Sequence, residues 1–302
     1  MAVSSGPKKL SELVEKEFVR IEEAFESGTI SGGVPTGLYD LDRLVDGIHQ
    51  GDIILAAGRP LMGKSDFLLN VAVKFAAETS RQVGIFSLRH DQPMVCRRML
   101  SAESRIPMHR MVRRLLGGDW HKLVRATGIL ADLPVHIEAG TSGTDRQLLD
   151  FIESMGSGTD LGLIVIDGLE LMTPADKHPS RRTEAGALIR FLRDLARARG
   201  TAIIVSLTTS PGDGARGDRR PVIDDLGEWE SLAADGADMV LFFHRPEAYL
   251  VYTPDKGVVE VIVVKNNYGA TGTVRLAYLE ANCRFANLAE GFEKHIPARD
   301  NE

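Results

Sequence analysis

With 302 residues and 43% hydrophobic side chains, the chain can bury a sizeable core, which excludes a disordered tail. A formal net charge of -6 excludes a general electrostatic grip on nucleic acid, so any such binding needs a local basic stripe. Two cysteines, Cys96 and Cys283, and eight scattered histidines show no metal-ligand spacing, and no apolar run approaches the roughly 20 residues of a membrane span. These features point to a reduced, cytoplasmic protein with no membrane partner.

Residues 1–9 are small and polar and are expected to be disordered. Ser11 is a candidate cap for a helix running to about Phe25, with Leu10, Val14, Phe18, Ile21 and Phe25 on one face. Gly28, Gly32 and Gly33 separate that helix from the rest of the chain. The division expected is therefore 1–30, a tail and a linker helix, and 31–302, a single nucleotide-binding domain. An apolar stripe so placed needs a groove, on its own domain or on a neighbouring subunit.

The apolar run 53–57 leads into GRPLMGKS, residues 58–65, and then into helical spacing over 67–77. Strand, glycine loop ending in Gly-Lys-Ser, and helix is the context of a P-loop. Its amides and the helix N-terminus form an anion site, so Gly58, Arg59, Pro60, Met62, Gly63, Lys64 and Ser65 are the candidate nucleotide-binding residues. Lys64 is placed to reach the β- and γ-phosphates of ATP, and the Ser65 hydroxyl to hold Mg²⁺.

Further strands are expected at 83–88, 163–166, 202–205, 239–243 and 258–264, with helices at 92–104, 146–154 and 183–199. Buried β-branched runs between amphipathic helices indicate an α/β fold, a mainly parallel sheet flanked by helices. Segments 260–264 and 273–279 read as a hairpin across a glycine-containing turn. Loops 177–182 and 211–220 are charged, carry Gly or Pro, and are expected to be mobile. Asp167 closes the run LGLIVID, where a carboxylate can hold the Mg²⁺ shell opposite the P-loop, as in a Walker B element.

The stretch GVPTGLYDLDRLVDGIHQGDIILAAGRPLMGKS, with FSL at 86–88, LIVID at 163–167, RPV at 220–222 and TGTVRLAYLE at 271–280, resembles the motor domain of DnaB-type replicative DNA helicases. The likeness runs from about Leu13 to Leu288 and includes a segment similar to the family's linker helix; the family's separate N-terminal domain has no counterpart. The resemblance implies a RecA-like P-loop ATPase fold assembling as a hexameric ring. In such rings the linker helix docks on the next subunit and ATP sits between subunits.

The departures are as informative. Where the family carries a glutamate that activates the attacking water, this sequence has Arg89, which can neither accept a proton nor orient water; His90 or Asp91 are the nearby substitutes, Asp91 the better. The family's γ-phosphate-sensing glutamine aligns with Leu207. In KNNYGATG the family supplies a lysine and an arginine finger in trans; Lys265 is kept, but the arginine position is Asn267. The central-channel loop, DDLGEWESLAADGAD, has Gly227 at the basic position amid Asp224, Asp225, Glu228 and Glu230, and would repel phosphate. Trp229 there is read as a packing or protein-contact residue rather than a base-stacking one. Basic clusters lie at Arg97 and Arg98, at 105–114, with Arg110, Arg113 and Arg114 near one helical face, and at 216–220.

The expectation is an ATP-binding DnaB-like protein of DNA replication with weak or absent intrinsic ATPase. It would act as a ring-forming or regulatory partner of a replicative helicase, with single-stranded DNA binding weakened over residues 224–238. The alternative is an active 5′→3′ DNA helicase with relocated catalytic residues.

Overall fold

The structure, a computed structural model, describes residues 7, 9–27, 32–113, 115–156, 160–210, 219–250 and 252–288. One nine-stranded sheet organises it. Its parallel part comprises β1 (Ile53–Gly58), β2 (Gln82–Ser87), β3 (Val135–Ala139), β5 (Leu161–Asp167), β7 (Ala202–Thr208) and β8 (Met239–His244). Antiparallel β9 (Val258–Asn266), β10 (Gly272–Leu279) and β11 (Arg284–Asn287) extend one edge, so the expected hairpin is present. The strand order is β11-β10-β9-β8-β1-β7-β5-β2-β3. A small second sheet pairs β4 (Gly143–Thr144) with β6 (Met172–Thr173).

Every residue of β1, β5 and β8 is buried, as central parallel strands covered on both faces require. Alternate side chains feed two cores. Ile54, Ala56, Val165 and Ile204 meet Phe67, Leu68 and Phe75 of α3 (Lys64–Thr79) on one face. Leu55, Ile166, Val205 and Leu207 meet α7 (Asp145–Ser154) and α8 (Arg181–Arg199) on the other.

Boundaries differ from the sequence reading for local reasons. Ser180 caps α8 by accepting the Thr183 amide, so Arg181 and Arg182, expected in a loop, form its first turn. Gly200 at φ 60° ends that helix. The first helix, α1 (Leu10–Ser27), already includes Ser11, which therefore does not cap it; the Leu13 amide bonds the Lys9 carbonyl instead. Its apolar side chains face solvent, Phe18 at 63% and Phe25 at 86% exposure. The expected tail falls largely outside the described residues, as do most of the expected loop 211–220, Arg114 and most of the 216–220 basic cluster.

Candidate functional site

Parallel register brings four strand ends to one edge: Gly58 pairs with Thr208, Asp167 with Ser206, and Ser87 with Asp167. Ligand sites of open α/β sheets form at such carboxyl ends. Between β1 and α3 the loop turns through left-handed positions at Leu61 (φ 66°) and Gly63 (φ 89°). A Cβ at Gly63 would also stand 2.9 Å from the Phe285 ring. Arg245 Nη1 donates to the Leu61 carbonyl at 2.8 Å and so braces the loop from β8's end.

Lys64 Nζ donates to the carbonyls of Gly58 at 2.7 Å and Arg59 at 2.8 Å, folding back along the loop it closes. Burial, then the nearby Arg89 charge, push its pKa down to about 8. Met62 is a core residue, so its side chain packs while its backbone shapes the loop; Arg59 stacks over Tyr249 at 5.5 Å.

Across from the loop, Asp167 is buried and its Oδ1 accepts from Ser65 Oγ at 2.8 Å and Ser206 Oγ at 2.7 Å. Ser206 in turn accepts the Gly168 amide at 2.8 Å, which fixes the carboxylate's direction. A single carboxylate beside the Ser65 hydroxyl is a sparse set of hard oxygen donors, which suits Mg²⁺, an ion bound by one or two carboxylates plus phosphates and water, better than an all-protein metal cage. No cluster of three or more His, Cys, Asp or Glu side chains suited to a metal is found among the described residues.

Arg89 enters this corner. Its Nη2 donates to Glu170 and to Thr208 Oγ1, and its Nε lies 3.8 Å from Asp167 Oδ1. Glu170 Oε1 also takes the Thr208 amide at 3.2 Å. Glu170 and Thr208 escaped the sequence reading, although the polar residues following LIVID and VSL mark the strand ends where they sit. Leu207 is fully buried in the second core, so polarity at the end of β7 belongs to Thr208.

Asp91 is not in this cluster's hydrogen bonding. It caps α4 (Gln92–Ser104), accepting the Met94 amide at 2.8 Å. The Asp-x-Pro sequence at 91–93 is a helix-start signal that would have shown it. His90, half-buried, has its pKa pushed down by burial and then by the Arg98 charge.

Lys265 and Asn267 sit at the opposite end of the sheet, where Asn266 pairs with Met239 and Met239 with Ile54. Lys265 Nζ donates to the Ala234 carbonyl at 2.7 Å, and Asn267 Nδ2 to Asp238 Oδ1 at 3.0 Å. The Tyr268 hydroxyl donates to Asp52 Oδ1 at 2.6 Å while its ring stacks on His49 at 3.8 Å. That turn is firmly bound to its own chain.

In the acidic segment Trp229 is buried, with the Arg181 guanidinium 5.5 Å above its ring, so it packs and offers no face to a base. Asp225 is buried and accepts the Val222 amide at 3.0 Å, whereas Asp224, Glu228, Glu230 and Asp235 are exposed. Three of the candidate basic residues are already paired, Arg98 with Asp66 at 2.6 Å, Arg110 with Asp119, and Arg220 with Glu260 at 2.7 Å. No helix among the described residues is long and apolar enough to cross a membrane.

A mainly parallel sheet whose first strand runs into a Gly-Lys-Ser loop, faced by a strand-end aspartate, defines a P-loop α/β protein. Within that class the family model described as DnaB-like helicase C terminal domain matches residues 33–287, and the chain belongs to this family. It is 32% identical over 297 residues to the replicative DNA helicase DnaB of Geobacillus stearothermophilus, covering 97% of this chain and 65% of that protein. It is 30% identical to the replicative DNA helicase DnaC of Bacillus subtilis (strain 168), covering 96% of this chain and 64% of that one. The chain thus spans just under two thirds of these relatives. Among solved structures, one described as an ATPase domain superposes with a TM-score of 0.85 at 28% identity, over 94% of this chain and all of that one. A DnaB-like replicative helicase described with its interactions with primase gives 0.83 at 28%, over 94% of this chain and 68% of that one. The fold is accordingly RecA-like.

Proposed function

We propose that this chain binds ATP with Mg²⁺ and holds it with weak or absent intrinsic hydrolysis, serving DNA replication in the cytoplasm as a ring-forming or regulatory partner of a replicative helicase. Lys64, with the amides of the loop from Gly58 to Ser65, binds and orients the phosphates; Ser65 and Asp167 hold Mg²⁺, which neutralises phosphate charge. The observation that carries the reading is Arg89. A guanidinium, paired with Glu170 and 3.8 Å from Asp167, stands at the end of β2 where the resemblance to DnaB-type helicases implies a water-activating carboxylate. Asn267 in place of the arginine finger removes a group able to contribute ~10³–10⁵ in rate.

Steady-state hydrolysis of Mg·ATP, with and without single-stranded DNA, tests this. Turnover should stay near background and show no stimulation, because the exposed acids over residues 224–238 disfavour the DNA contact. A second reading, an active 5′→3′ helicase, is favoured by one observation: Glu170 places a carboxylate in the same corner. DNA-stimulated turnover that disappears in Glu170→Gln would replace the first reading with the second, and with it the weight placed on Asp91.

Ring formation, hexameric or mixed with a replicative helicase, is supported by two features. The apolar stripe of α1 lies exposed, and Lys265 sits at the sheet end away from its own P-loop, where only a second chain's nucleotide could meet it. Phe18→Asp with Ile21→Asp should therefore dissociate the assembly, as read by light scattering. Assemblies of unchanged mass would remove α1 as the contact.

A further inference from the structure

The Arg89 side chain is held in a way that leaves it able to change partners. Its stem passes over Gly168, just beyond the end of β5, where a Cβ would lie 3.1 Å from Arg89 Cγ and where φ is +104°. No side chain other than hydrogen would let the guanidinium pass there without strain. Among the described residues its two hydrogen bonds, to Glu170 and to Thr208, come from the single nitrogen Nη2, so it does not grip Glu170 as a bidentate fork. Glu170 Oε2 correspondingly is buried without a hydrogen-bond partner among the described residues. The side chain remains 28% exposed, and Nε stands 3.8 Å from the Asp167 oxygen that also takes the Ser65 hydroxyl.

Two cations therefore converge on one corner, Lys64 from the loop and Arg89 from the end of β2. A P-loop cradles the inner phosphates with its amides, and its lysine reaches the outer two. Arg89 reaches the strand-end carboxylate from the end of β2, not from the loop that cradles the inner phosphates. We propose that Arg89 is the residue that makes this site select nucleoside triphosphate over diphosphate, its guanidinium exchanging Glu170 for the terminal phosphate. This rests on the proposed function only in placing nucleotide at the P-loop, and it holds whatever the rate of turnover.

Calorimetric titration with Mg·ADP and with Mg·β,γ-imido-ATP, which is not hydrolysed, tests it on the full chain. Arg89→Ala should lower affinity for the imido triphosphate at least about tenfold, the loss expected for a charge-assisted hydrogen bond, while ADP affinity stays within about twofold. Glu170→Gln, which removes the competing carboxylate charge, should raise triphosphate affinity and leave ADP unchanged. Equal losses for both nucleotides, or an unchanged ratio, in Arg89→Ala would overturn the proposal; if that variant melts without a cooperative transition, Arg89→Gln is read by the same criteria. Lys64→Ala separates the two levels. If it loses both nucleotides while the Arg89→Ala ratio is unchanged, only this inference fails; if it binds both as well as the parent chain does, the nucleotide reading fails too.

Discussion

Lys64→Ala is expected to weaken binding of Mg·ATP by at least about a hundredfold while leaving the protein folded. The ammonium reaches two phosphates, and each charge-assisted hydrogen bond is worth ~1.5–3 kcal/mol, so losing both costs two decades or more in affinity. The fold should hardly notice. Lys64 is a buried cation whose hydrogen bonds among the described residues go to the Gly58 and Arg59 carbonyls, and burial already pushes its pKa down to about 8. Removing it takes a donor from the Arg59 carbonyl and one of two from the Gly58 carbonyl, which keeps the Thr209 amide at 3.1 Å, but it also removes a buried charge, and these effects offset one another. Titration calorimetry gives the affinity and thermal melting the stability. Affinity within tenfold of the parent chain would mean that the loop is not the nucleotide site.

Asp66→Ala should cost the largest share of stability of any single polar change near the site, on the order of 3 kcal/mol. Asp66 is buried in the first turn of α3, where a carboxylate also suits the helix N-terminus. Its Oδ1 accepts from Arg98 Nη1 at 2.6 Å and its Oδ2 from the Tyr278 hydroxyl at 2.5 Å, tying α3 to α4 and β10. Burial is the largest cause that pushes the Tyr278 phenol and the Cys283 thiol up, and it persists without Asp66, so neither supplies a replacement charge. The variant would leave a largely buried guanidinium without its carboxylate, and urea unfolding should show a clearly lower midpoint. A loss below about 1 kcal/mol would mean that the pair is no stronger than a surface ion pair.

The central strands and the P-loop were legible because strands covered on both faces read as unbroken apolar runs, and because Gly-Lys-Ser follows one of them directly. β3 and β11 were not. Both are short edge strands, and their half-buried side chains, as in VHIEA and RFAN, leave no strong pattern. The replacement at Arg89 was visible from its position after FSL, but its partner was not. Glu170 reaches it from three residues beyond Asp167, after a left-handed turn at Gly168 whose direction no periodicity encodes. Adjacency favoured Asp91, yet helix capping places that carboxylate on the Met94 amide. Trp229 was rightly read as a packing residue, though the Arg181 guanidinium over its ring comes from a helix far earlier in the chain and could only be seen in three dimensions.

The most direct test is to incubate the chain with Mg·ATP and single-stranded DNA, separate it from free nucleotide, and identify what remains bound, with Lys64→Ala as the control. Retained ATP, absent from Lys64→Ala, is the predicted result, because the phosphate cradle is intact and Arg89 stands where water would be activated. Bound ADP, with phosphate released in excess of protein, would contradict it and identify a working motor.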